Sequence, residues 1–219
     1  VSDGAGVSSP RRLIPCVAVL LCATLALACV GRQARTGQRL FAGCDKEGVD
    51  DRATLRKGVF VCEGKREETP FGGNGRACGT CHMPGDNFGI SPGRIAAEPA
   101  DSPLVFDGLD EDLELLRAHG LIHVITPDGL DEFRQTPKLV HLAKLCDRYG
   151  KCDALGLRAD RTQDLCTFSR QAVANHMAKT TGRVEGVDFV FPDEKECRAL
   201  VRYMLSRLVS GQDERTRKR

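Results

Sequence analysis

Apolar positions in this chain recur mostly at helical spacing, in short runs cut by glycine, proline and charge. Thr36 is placed to cap a first helix through Gln38-Arg39-Leu40-Phe41. Residues 44–69 are highly charged and broken by Gly48, Gly58 and Gly64, which predicts a surface insertion. Ser91-Pro92 reads as N-cap and first helical position ahead of Ile95-Ala96-Ala97, with Pro99 and Pro103 ending that helix. Leu113, Leu115 and Leu116 among acids predict a short amphipathic helix over 110–119, stopped at Gly120. Residues 121–125 are apolar and β-branched, and fit either a short strand or an extended pocket wall. Thr136-Pro137 repeats the cap-and-proline pattern before Leu139-Val140-His141-Leu142-Ala143, and 147–160 reads as a loop.

A longer helix is expected over 164–177, with Leu165, Phe168, Ala172, Val173 and His176 roughly along one face. After a turn-rich link, Phe191-Pro192-Asp193-Glu194 opens a last helix whose Leu200, Val201, Met204, Leu205 and Leu208 keep the helical period. The basic tail, 212–219, is expected to be disordered. The pattern as a whole predicts an all-α fold: a bundle of short helices and long loops.

Residues 13–30 are different, being almost continuously apolar. Arg11 and Arg12 precede them and Ala26-Leu27-Ala28 ends them in a small-x-small signature, so residues 1–28 read as an export signal. The run nears the length of a membrane span. Cys29 also stands where a bacterial lipoprotein is lipidated, although Ala26 replaces the usual leucine. Simple cleavage, a lipid anchor at Cys29 and a membrane tether through the N-terminus stay open. Each places the domain over 29–211 outside the cytoplasm, in the periplasm or exported.

Composition then narrows the choice. Lys+Arg number 32 against Asp+Glu 30, a formal net charge of +2, so no large basic field points to nucleic acid. The absence of tryptophan argues against a carbohydrate or base-stacking surface. Cysteine is the outlier, at 11 residues. Setting aside the signal, Cys29 and the pair Cys78/Cys81 leaves Cys44, Cys62, Cys146, Cys152, Cys166 and Cys197. An even set in an oxidising compartment predicts disulfides, with fifteen connectivities open in principle. Cys44–Cys62 and Cys146–Cys152 each close a local loop, which leaves Cys166–Cys197. A second metal site is the alternative, and the spacings fit no ligand template.

The sharpest signal is Cys78-Gly79-Thr80-Cys81-His82, a CxxCH motif for covalent attachment of haem c. Two thiols at this spacing add to the haem vinyl groups, and the next residue, His82, becomes the proximal iron ligand. The rivals are a thioredoxin-like dithiol and half a zinc site. Against the first, the preceding Pro70-Phe71-Gly72-Gly73-Asn74-Gly75-Arg76 is a glycine-rich loop rather than a strand. Against the second, the chain has no second CxxC to complete such a site.

Phe71-Gly72-Gly73-Asn74-Gly75-Arg76-Ala77-Cys78-Gly79-Thr80-Cys81-His82, with Asn87-Phe88 and Ser91-Pro92 behind it, resembles bacterial cytochrome c domains related to the di-haem cytochrome c peroxidases. Phe133-Arg134-Gln135-Thr136-Pro137-Lys138-Leu139 resembles that family's segment leading to the distal side, and Gln171-Ala172-Val173-Ala174 its helix presenting the distal residue. The likeness runs over about 37–208, although only the haem motif is specific. One CxxCH stands where the family has two, so the two-haem arrangement is absent, and the cysteine-bearing segments 44–62 and 146–152 depart from the pattern.

The sixth iron position decides function. Its candidates are His119, His123, His141, His176, Met83, Met177 and Met204. Met83 is too near His82 to reach the opposite face, and Met204 fits the packing face of the last helix. The resemblance places an axial ligand one or two residues beyond Ala172-Val173-Ala174, which implies His176 as distal ligand with Met177 as the alternative. A closed iron implies a mono-haem carrier working between redox protein partners. An open or displaceable sixth position implies a peroxidase-type enzyme instead, for which the sequence offers no recognisable catalytic constellation. A structural or sensing haem module is the third reading.

Overall fold

The computed structural model describes residues 28, 31–44, 54–56, 59–61, 69–100, 102–105, 113–125, 129, 131–155 and 161–206. Most of the expected export signal, Cys29, Cys62, Leu208 and the basic tail lie outside the described residues. So does much of the expected insertion.

Seven helices run through the described residues: α1 (31–42), α2 (Cys78–Cys81), α3 (Pro92–Ala96), α4 (Leu113–His119), α5 (Leu142–Leu145), α6 (Leu165–His176) and α7 (Glu194–Met204). Between them lie β1 (Thr54–Arg56), β2 (Val59–Val61), β3 (Leu121–Ile125), β4 (Asp131–Gln135), β5 (Lys151–Leu155) and β6 (Arg161–Asp164). The all-α expectation is therefore wrong. Three two-stranded antiparallel hairpins accompany the helices: β1 with β2, β3 with β4, and β5 with β6. In β3, Ile122 and Val124 are buried while the residues between them are not, the two-residue period of a half-buried strand. Its partner β4 contains Phe133-Arg134-Gln135, β5 lies within the expected loop 147–160, and β6 falls between that loop and the next helix. Their charged, non-alternating sequences carried no strand signal. Pairing with a neighbour made them strands.

Several expected helix ends also differ. Helix α1 is already running before Thr36, whose hydroxyl donates to the Arg32 carbonyl one turn back rather than capping. Ser91 is the N-cap residue of α3 with Pro92 behind it, but its hydroxyl donates to Asp86 instead of serving the helix. Thr136-Pro137 stays extended, and a 3-10 turn over Leu139–His141 leads into α5. Other ends are as expected. Gly120, at φ +68°, closes α4 by donating to Leu116. Asp164 caps α6 through Thr167, and Asp193 with Glu196 forms a capping box on α7.

The first and last helices cross at Gly37, where a Cβ would lie 1.9 Å from the Ala199 carbonyl oxygen. Only glycine permits that approach. One turn on, Phe41 packs edge-to-face on Tyr203 at 5.2 Å and on Phe88 at 6.0 Å. These rings belong to the main core, which Leu139, Leu165, Val173 and Leu200 extend. A second cluster gathers Met83, Ile95, Leu104, Val105, Leu116 and Ile122.

Disulfides tie the helical half together. Cys166 in α6 is bonded to Cys197 in α7, and Cys146 after α5 to Cys152 in β5, the two pairings expected. Cys44 is disulfide-bonded as well. Its expected partner, Cys62, lies outside the described residues.

Candidate functional site

A cavity of about 400 Å³ lies between α2, β3, α5 and α6. Cys78, Cys81, His82 and His176 all line it, and so does Met177. Two histidines separated by more than ninety residues of sequence thus share one cavity with the CxxC pair.

The near wall is the haem motif. Thr80 makes the motif a helical turn by accepting from the Ala77 N–H while its own N–H donates back to Ala77, so α2 caps itself from within. Neither Cys78 nor Cys81 is in a disulfide. Burial pushes the Cys78 thiol up to about 12, with Cys81 adding to the shift. A redox dithiol needs the opposite, a thiolate stabilised at a helix start. No group of three or more His, Cys, Asp or Glu suited to a metal ion occurs among the described residues.

His82 is held from outside the cavity. Its Nδ1 lies 2.8 Å from the Phe88 carbonyl oxygen. Burial lowers the pKa of the ring, partly offset by the Phe88 and Pro137 carbonyls. A neutral imidazole whose Nδ1–H is donated keeps Nε2 as its lone-pair nitrogen, the arrangement of a metal-ligating histidine. Asn87 and Phe88 reach this geometry through positive φ angles of 57° and 56°. For a bulky residue such as Phe88 that is a strained conformation.

The far wall is α6. Leu165, Phe168, Ala172 and His176, four of the five residues expected on one face, all line the cavity, and Val173 is buried in the core. His176 is pushed down to about 4, first by burial and then by electrostatic repulsion, with Arg76 the foremost source and His82 and Arg183 behind it. It is therefore a neutral donor at physiological pH. Met177 is buried and ends the same helix. Leu139, Leu142 and Leu155 close the sides, with Ile122 and Val124 from β3, so the segment 121–125 is both strand and pocket wall.

One edge is polar. Arg134, Gln135, Thr136 and Lys138 line the cavity there, and the buried Thr136 hydroxyl has no hydrogen-bond partner. An apolar slot with a thiol pair and two neutral imidazoles inside, and a cationic, hydroxyl-bearing edge, fits an iron macrocycle bearing two carboxylates.

The other ligand candidates stand elsewhere or do other work. His123 stacks on Phe133 at 4.6 Å and bonds Asp131 at 2.6 Å on the hairpin surface. His119 ends α4. Met83 is buried in the second cluster. His141 and Met204 do line the cavity, His141 as an exposed residue and Met204 from the packing face of α7.

Sequence reasoning missed Asn74, Arg76, Thr80 and the Phe88 carbonyl. Arg76 is buried and donates to the Pro103 and Leu104 carbonyls. Only the glycine spacing around Asn74 hinted that this loop is pressed against another element. No protein-family model, curated protein or solved structure matches the chain.

Proposed function

We propose that this chain is an exported mono-haem c-type cytochrome that carries electrons between redox proteins. The observation that carries the reading is the meeting of Cys78, Cys81, His82 and His176 in one cavity. Cys78 and Cys81 would hold haem c covalently, with His82 as proximal and His176 as distal axial ligand. When bound, haem c supplies a one-electron Fe(III)/Fe(II) couple.

The protein's own residues favour transfer over catalysis. Apolar side chains from α5, α6 and β3 exclude water. The two neutral imidazoles of His82 and His176 would both hold the iron and so leave no open position for a substrate. Among the described residues that line the cavity none is a carboxylate, which leaves histidine as its acid/base group. The peroxidase-type reading would need His176 to leave the iron and His141 or Ser169 to move protons in its place.

Oxidised cysteine pairs support an oxidising compartment. No helix among the described residues is long and apolar enough to cross a membrane. Cleavage after Ala28, lipid attachment at Cys29 and a membrane tether through the N-terminus are each compatible with that compartment.

The test is to express the full chain in a host that assembles c-type cytochromes. Haem should then resist extraction by acidified organic solvent and cycle reversibly between two oxidation states. Cys78→Ala with Cys81→Ala should release any bound haem to the solvent. Haem still retained by that double variant would defeat covalent attachment.

A further inference from the structure

The loop that carries the haem motif also grips the helix that carries His176. Asn74 makes the grip. Its side-chain Nδ2 donates to the His176 carbonyl at 3.1 Å, and its backbone N–H donates to the Met177 carbonyl at 3.0 Å. Its Oδ1 accepts from the Arg76 N–H at 3.1 Å. The neighbouring Gly73, at φ +79°, comes so close that a Cβ there would lie 1.8 Å from the Met177 carbonyl oxygen.

The two carbonyls are end groups of α6, where the helix itself supplies no donor. A helix end lacking such partners frays first. Here fraying would carry the His176 imidazole away from the cavity. We propose that Asn74 is a positioning residue that pins the last turn of α6, so that His176 stays on the iron. The inference rests on the reading of His176 as distal ligand. Its consequence is that the same short loop fixes both sides of the iron: Cys78 and His82 along the chain, and His176 through Asn74.

The direct variant is Asn74→Asp. It keeps the backbone N–H and the oxygen that serves Arg76, and replaces the donor to His176 with a carboxylate oxygen that repels the carbonyl. In the haem-loaded protein the spectrum should show a new high-spin fraction. Cyanide, which must displace His176, should bind roughly fivefold more tightly, the scale of one lost hydrogen bond. Thermal unfolding measured alongside separates this from general loss of structure. Should the variant fail to load haem, amide hydrogen exchange on the haem-free Asn74→Ser protein reads the same effect, with faster exchange in the last turn of α6 than in its capped first turn. Wild-type spin state and cyanide affinity in Asn74→Asp, or unchanged exchange in Asn74→Ser, would overturn the proposal. His176→Ala separates the two ideas. If it opens the iron while Asn74→Asp does not, the ligand reading survives and the positioning role fails. If His176→Ala leaves a low-spin iron, the ligand reading fails and the positioning role falls with it.

Discussion

The Nδ1 of His82 lies 2.8 Å from the carbonyl oxygen of Phe88, a residue held at φ +56° whose ring packs on Phe41 and lies 6.4 Å from Tyr203. The orientation of the His82 imidazole is thereby tied to the core. Phe41 belongs to α1 and Tyr203 to α7, so the crossing of the terminal helices supports a bond made by a residue of the candidate site.

Truncating Phe88 should therefore act twice. Phe88 is 1% exposed, and Phe88→Ala should cost about 3–5 kcal/mol in chemical denaturation. The ferric spectrum of the surviving folded protein should also show a perturbed proximal ligand. A stability loss with an untouched spectrum would mean that the turn holds its shape without the ring.

The Cys166–Cys197 bond joins α6, the wall that bears His176, to α7. Replacing both cysteines with serine should lower unfolding stability by about 3–4 kcal/mol, the scale for closing a loop of this length. Thiol counting on the unfolded, unreduced native protein should find none of the four cysteines Cys146, Cys152, Cys166 and Cys197 free.

Asp164 caps the first turn of α6 and accepts from the Thr167 hydroxyl and N–H. These bonds hold its carboxyl below the ordinary 3.8, the hydroxyl contributing most. A depressed carboxyl pKa means that the unfolded chain binds the proton first. The stabilisation is present above pH 3.8 and is lost as the pH falls through the depressed value. Asp164→Ala should cost about 1 kcal/mol at neutral pH. Asp164→Asn should keep most of the cap and remove this acid-sensitive part, as urea melts at several pH values would show.

The helical skeleton and the site were more legible than the fold class. CxxCH is a local signal, and the face of α6 that reaches the cavity follows from its period alone. Among the described residues two of the three expected cysteine pairs are seen, since each had few competitors once the local loop was closed. The hairpins were not legible. Asp131-Glu132-Phe133-Arg134-Gln135 becomes a strand because β3 lies beside it, and that pairing leaves no mark in its composition. Cap residues misled where a closer partner was available: Ser91 turned to Asp86, and Thr36 to Arg32. The link from Asn74 to His176 spans a separation no local pattern encodes.

The account rests on His176 facing His82 across one iron, and electron paramagnetic resonance of the ferric protein tests that most directly. The native protein should show a low-spin signal of two imidazole ligands. His176→Ala should convert it to high spin, and Met177→Ala should leave it low-spin. A low-spin signal that survives loss of His176 but collapses with loss of Met177 would give the position to the methionine. A native protein already high-spin would contradict the closed, electron-carrying site.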